Sequence, residues 1–166
     1  MIRIPLFYIA LISLLTLSGC AGFAGRIASP SAYGQYHLSP TQCVPYARAK
    51  SGIQIYGDAY TWWQQASSRG YQRGQAPRQG AILSLSQTSK LRYGHLAVVK
   101  KIKASREITV THSNWGDGPV SRRMVYKSMK VKDISPNNDW TMVKFWNPEI
   151  DAYGLPYKAD GFIYAD

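Results

Sequence analysis

The sequence predicts an α+β domain, with N-terminal helices packed on an antiparallel β-sheet. Two observations carry the prediction. Helix signals cluster between residues 39 and 70, and from Gly80 onward short β-branched or apolar runs follow one another. Gly- and Pro-containing breaks separate these runs, and the connections are short, as between neighbouring antiparallel strands.

The first helix is expected to start at Ser39, with Ser39 as N-cap, Pro40 at the first helical position and Gln42 completing a capping box. It should stop at Ser51-Gly52. Asp58 can cap a second helix, Ala59 to Ser67, closed by Gly70 and carrying Trp62 and Trp63 for packing. Strands are expected over 80–85, 94–100, 107–115, 141–146 and 161–164. In the third of these, Ile108, Val110, His112 and Asn114 share one face, and Thr109, Thr111 and Ser113 share the other. Stretches 133–139 and 147–160 read as loops, broken by Pro136, Pro148, Gly154 and Pro156.

The chain divides into residues 1–19, an export segment, residues 20–37, a flexible tether, and residues 38–166, one folded domain. Arg3 precedes a fourteen-residue apolar run, Ile4 to Leu17, whose length suits a signal peptide and is short for a membrane span. Leu17-Ser18-Gly19-Cys20 resembles the lipobox of bacterial lipoproteins. That resemblance implies cleavage before Cys20, lipidation of its thiol and a lipid anchor in the membrane. Ala21 fits delivery to the periplasmic face of the outer membrane. The alternative is an ordinary secretory signal cut near Gly22 or Ala24, or an uncleaved anchor.

Of the net charge of +11, +10 remains once Arg3 is removed with residues 1–19. Such a surface favours an anionic partner: a wall polymer, lipopolysaccharide, an anionic membrane or nucleic acid. Lys and Arg are spread along the chain, and Lys100-Lys101-Ile102-Lys103 and Arg122-Arg123 are too short for a nucleic-acid arm. Nucleic acid is therefore not expected, and a monomer is. No His/Cys spacing suits a metal and no Gly-rich phosphate loop follows a strand, so no cofactor is expected.

With Cys20 lipidated, Cys43 is the one free thiol of the exported chain. A cysteine nucleophile needs a base, a group to orient the base, and donors for the oxyanion. A helix N-terminus favours a thiolate and offers backbone N–H groups. The amide of Cys43 is one oxyanion candidate and Gln42 a second. The chain has three histidines. His37 falls in the tether, whereas His95 opens an apolar strand after Gly94. If the strands at 94–100 and 107–115 are antiparallel neighbours, His95 lies beside His112 and Asn114. Cys43, His95 and Asn114 then form a Cys-His-Asn set.

Gln42-Cys43-Val44-Pro45-Tyr46-Ala47-Arg48, Gly57-Asp58-Ala59, Gly80-Ala81-Ile82, Gly94-His95-Leu96-Ala97-Val98-Val99 and Ile108 to Trp115 together resemble the CHAP domain, the cysteine, histidine-dependent amidohydrolase/peptidase family. The resemblance spans about residues 40–166. It implies a papain-like α+β fold and cleavage of peptidoglycan amide bonds, with Cys43 as nucleophile and His95 as base. Many members carry Glu where this chain has His112, so the orienting role goes to Asn114. His112 is then a wall or substrate contact, and Trp115 lines the cleft or packs in the core. The competing reading is a catalytically silent lipoprotein that binds peptidoglycan or a partner through the same cleft. The absent Glu favours it.

Overall fold

The computed structural model describes residues 42–165 in full and the backbone of residues 36–38. The expected export segment, Cys20 and nearly all of the tether lie outside the described residues. Among these no helix is long and apolar enough to cross a membrane.

The elements run β1 (Tyr36–Leu38), α1 (Cys43–Ser51), a 3₁₀ turn at Ala59–Thr61 leading into α2 (Trp62–Ser68), β2 (Arg73–Gly74), β3 (Ile82–Leu85), β4 (His95–Ala104), β5 (Glu107–Ser113), a 3₁₀ turn at Ser121–Arg123, β6 (Met124–Asp133), β7 (Met142–Asn147) and β8 (Ala152–Ile163). Strands β3 to β8 pair antiparallel in the ring β3-β4-β5-β6-β7-β8, and β8 returns to β3. This is a closed six-stranded barrel with two short helices. It overturns the expected papain-like α+β fold with its helices packed on an antiparallel sheet.

The strands that close the ring explain the difference. β6 was not anticipated. Its alternation of buried Met129, Val131 and Asp133 with exposed Lys130 and Lys132 is interrupted by exposed Lys127 and Ser128, where the register against β5 slips. Gly154 and Pro156 predict a loop over the first half of β8. Pro156 instead stands opposite Lys144 beside a register slip, where a missing N–H is tolerated. Asp160 marks a second slip, accepting from Ser84 Oγ at 3.2 Å and Ser86 Oγ at 2.6 Å.

The apolar residues form two cores. Leu83, Ala97, Val99, Val110, Val131, Val143 and Phe145 belong to the first, inside the barrel. Ala47, Ile53, Trp62, Leu96 and Val98 belong to the second, between the barrel wall and the helices. β4 serves both: Ala97 and Val99 face one core, Leu96 and Val98 the other. That division sets α1 over the start of β4. The helix ends where Gly52 takes φ 79° and its N–H caps the Arg48 carbonyl at 2.9 Å.

Candidate active site

Helix α1 starts at Cys43, later than the sequence suggests. Gln42 is the N-cap, extended at φ −66°, ψ 157°, and makes no side-chain cap bond. Ser39 and Pro40 lie outside the described residues. In place of a capping box, Gln42 Oε1 accepts from Asn114 Nδ2 at 2.5 Å. Cys43 thus holds the first helical position. Pro45, two residues on, has no N–H to leave unpaired, and Tyr46 N already donates to the Gln42 carbonyl at 3.1 Å. The amides of Cys43 and Val44 open this helix end and lie beside the Cys43 sulfur. Burial pushes the Cys43 thiol above its ordinary value, while hydrogen bonding from the amides of Leu96, Val44 and Cys43 pulls it back in part.

Strands β4 and β5 pair antiparallel with Val98 opposite Thr111, so the start of β4 lies beside the end of β5. His95 Nε2 stands 2.8 Å from His112 Nδ1. His112 Nε2 stands 3.3 Å from Met129 Sδ on β6. The two rings are 2% and 0% exposed. These partners assign the protons. A thioether sulfur cannot donate, so His112 carries its proton on Nε2 and accepts at Nδ1. His95 therefore donates from Nε2, and its Nδ1 is left as the free lone pair.

Burial pushes the His95 imidazole down to about 3. Burial, and then the His95 charge, hold His112 well below the ordinary imidazole value. Aromatic rings complete the enclosure. Trp115 lies 4.6 Å from His95 and 5.5 Å from His112 between centroids, and Tyr126 and Phe145 lie 5.2 and 5.5 Å from His112. The partner of His95 Nε2 is thus His112. Asn114, held at φ 55°, turns its amide to Gln42.

Gln42, Cys43, His95, Asn114 and Trp115 line one cleft of about 1110 Å³. His112 sits behind it. His37 pairs through its backbone with Val125. Among the described residues no three His, Cys, Asp or Glu side chains could hold a metal ion. The sequence does not single out Met129, because it does not predict β6. The alternation over 129–133 was the available signal.

Gly94 fixes the entry of His95. Its φ is 65°, and a Cβ there would lie 2.6 Å from Tyr60 N and 2.8 Å from the Leu85 carbonyl. Backbone atoms on two sides cannot give way cheaply. Gly94→Ala is expected to destabilise the fold by about 2–4 kcal/mol. An unchanged urea midpoint would show that the turn relaxes instead.

The family profile of the CHAP domain matches residues 32–114. Staphylococcal secretory antigen ssaA2 of Staphylococcus aureus is 31% identical over 96 residues, covering 56% of this chain and 35% of that protein. Staphylococcal secretory antigen SsaA of Staphylococcus epidermidis is 36% identical over 91 residues, covering 53% and 34%. The chain therefore spans about a third of the length of these curated relatives. Among solved structures, an N-acetylmuramoyl-L-alanine amidase from Staphylococcus aureus aligns with a TM-score of 0.39 at 23% identity, over 52% of this chain and 30% of that one. With the profile match covering half of its length, this chain belongs to the CHAP domain family.

Proposed function

We propose that this chain is an exported hydrolase of amide bonds in peptidoglycan, using Cys43 as nucleophile, His95 as base and His112 as the residue that positions the base. The line His95, His112, Met129, which starts in the cleft that Cys43 also lines, carries the reading. Its hydrogen-bond partners leave a lone pair on His95 Nδ1. In the proposed reaction Cys43 Sγ attacks the carbonyl carbon as its proton passes to His95 Nδ1. The carbonyl electrons move to oxygen, which the helix-end amide of Cys43 receives. Gln42, its Oε1 held by Asn114, has Nε2 to contribute as a second donor. Collapse breaks the C–N bond, and the leaving nitrogen takes the proton from His95. Water then attacks the thioester with His95 as base and restores the thiol.

Export is supported by the apolar run after Arg3 and by two relatives named secretory antigens. The lipobox further suggests that the exported chain is anchored through a lipid on Cys20. The test is digestion of purified peptidoglycan followed by mass analysis of the soluble fragments. The expected products carry one new amine and one new carboxyl per cut, and those termini identify the bond. Intact peptidoglycan after prolonged incubation would reject the reading. It would favour a silent binding protein, for which the pairing of His95 with an imidazole, His112, is the supporting observation.

A further inference from the structure

The outer wall of the barrel carries an arrangement that the cleft chemistry does not use. Lys130 and Lys132 alternate along β6 with buried Met129, Val131 and Asp133, and so project outward. Lys132 is directly opposite Lys144 on β7. Lys130 is opposite Thr109 on β5, and Thr109 is opposite Lys101 on β4. Like charges placed opposite each other in an antiparallel pair cost stability. Among the described residues, the one ion pair is Arg106–Asp133, so these four ammonium groups have no carboxylate at ion-pair distance. Glu107 is opposite Lys132, and burial and then its carboxylate raise the nearby Tyr153 phenol, so one acidic group borders the strip.

Two aromatic rings lie in the same strip. Trp146 and Tyr153 sit on β7 and β8 with centroids 5.2 Å apart and planes at 85°. Lys130 Nζ lies 4.9 Å from the Trp146 centroid, and Lys132 Nζ 6.0 Å from that of Tyr153. Both rings also line the cleft that holds Cys43 and His95, so the strip runs from the cleft mouth onto the barrel wall.

We propose that this strip binds an anionic glycan strand, with sugar faces on Trp146 and Tyr153 and acidic substituents on Lys130, Lys132, Lys144 and Lys101. Aromatic faces present apolar area with a fixed geometry, which suits the C–H face of a sugar. Lysines act as compact point charges and accept carboxylates or phosphates at irregular spacing, whereas arginine forks would favour a fixed bidentate phosphate. The edge-on ring pair offers no parallel platform for successive nucleobases. The strip crosses an outer barrel face, so it suits an extended polymer over a compact ligand. The proposal does not depend on hydrolysis.

The test uses the full chain carrying Cys43→Ala, so that no turnover confuses binding. Tryptophan fluorescence is titrated with an octameric alginate oligosaccharide, a neutral dextran oligosaccharide, oligo-dT and vesicles with about 30% anionic lipid. Alginate is expected to bind at least about ten-fold tighter than dextran. Lys130→Gln/Lys132→Gln/Lys144→Gln together should weaken it about ten-fold. Trp146→Ala should weaken it about five-fold, read by calorimetry because the reporter ring is gone. The triple variant should melt no lower than the parent, since the opposed charges are removed. Alginate binding unchanged in the triple variant overturns the proposal. So does dextran binding as tightly as alginate, or a loss confined to oligo-dT or to vesicles. None of these outcomes bears on peptidoglycan cleavage by the parent chain, so the two readings can fail separately.

Discussion

Cys43→Ala is expected to lower amide hydrolysis by about three orders of magnitude or more while leaving the fold intact. The thiol packs partly against the apolar layer between α1 and β4, and alanine fits that space without a clash. What disappears is the attacking atom, and the neighbouring helix-end amides cannot replace it. Retained binding to peptidoglycan with abolished cleavage is the expected pair of results. Full cleavage by the alanine variant would eliminate the mechanism. The pH dependence of thiol labelling adds an independent check. Burial raises the Cys43 thiol and lowers His95 to about 3, so both groups are neutral at rest. A preformed thiolate–imidazolium pair is not the resting state. Carboxymethylation of Cys43 should therefore be slow at pH 6 and rise steadily into the alkaline range. A fast plateau between about pH 5 and 7 would reveal a standing ion pair.

The contrast between what the sequence conveyed and what it hid is itself physical. The adjacency of β4 and β5 was legible, because apolar runs on either side of Ala104–Arg106 leave room only for a tight reversal. That adjacency predicted His95 beside His112 and Asn114, and the two imidazoles are in contact. Which of the two neighbours meets His95 was not legible. It depends on Asn114 taking φ 55° after β5 ends, which swings its amide toward Gln42. The barrel was hidden for a related reason. Its closing strands, β6 and β8, contain register slips at Lys127–Ser128 and near Pro156 and Asp160. Strand periodicity is a local signal, and a bulge resets it while the ladder continues. The helix starts at Cys43, and the Gln42 side chain bonds Asn114 instead of its own helix.

His112→Leu is expected to lower kcat by about two to four orders of magnitude with little change in KM, and His112→Gln to restore part of it. Leucine fills the aromatic box but cannot accept from His95 Nε2–H, so the His95 proton is free to sit on Nδ1, the wrong nitrogen. Glutamine can still accept there through its carbonyl. A purely structural role for His112 would give the opposite ranking, since leucine suits that enclosure better. The same residue governs acid stability. Both imidazoles have folded values below the unfolded one, near 6.5, so the unfolded chain binds more protons in acid. Their burial is without a pH-dependent cost above about pH 6.5. Below it, each removes up to about 1.4 kcal/mol of stability per pH unit, down to about 3 for His95. His112→Leu should roughly halve that slope, measured by urea unfolding at a series of pH values. It follows that the acid limb of activity in the parent chain reports unfolding and not protonation of the base. Activity should fall together with the near-ultraviolet circular dichroism signal. A half-loss of activity near pH 6.5 in a chain that is still folded would mean that His95 titrates in place, and the sealed His95–His112–Met129 line would then be open to water.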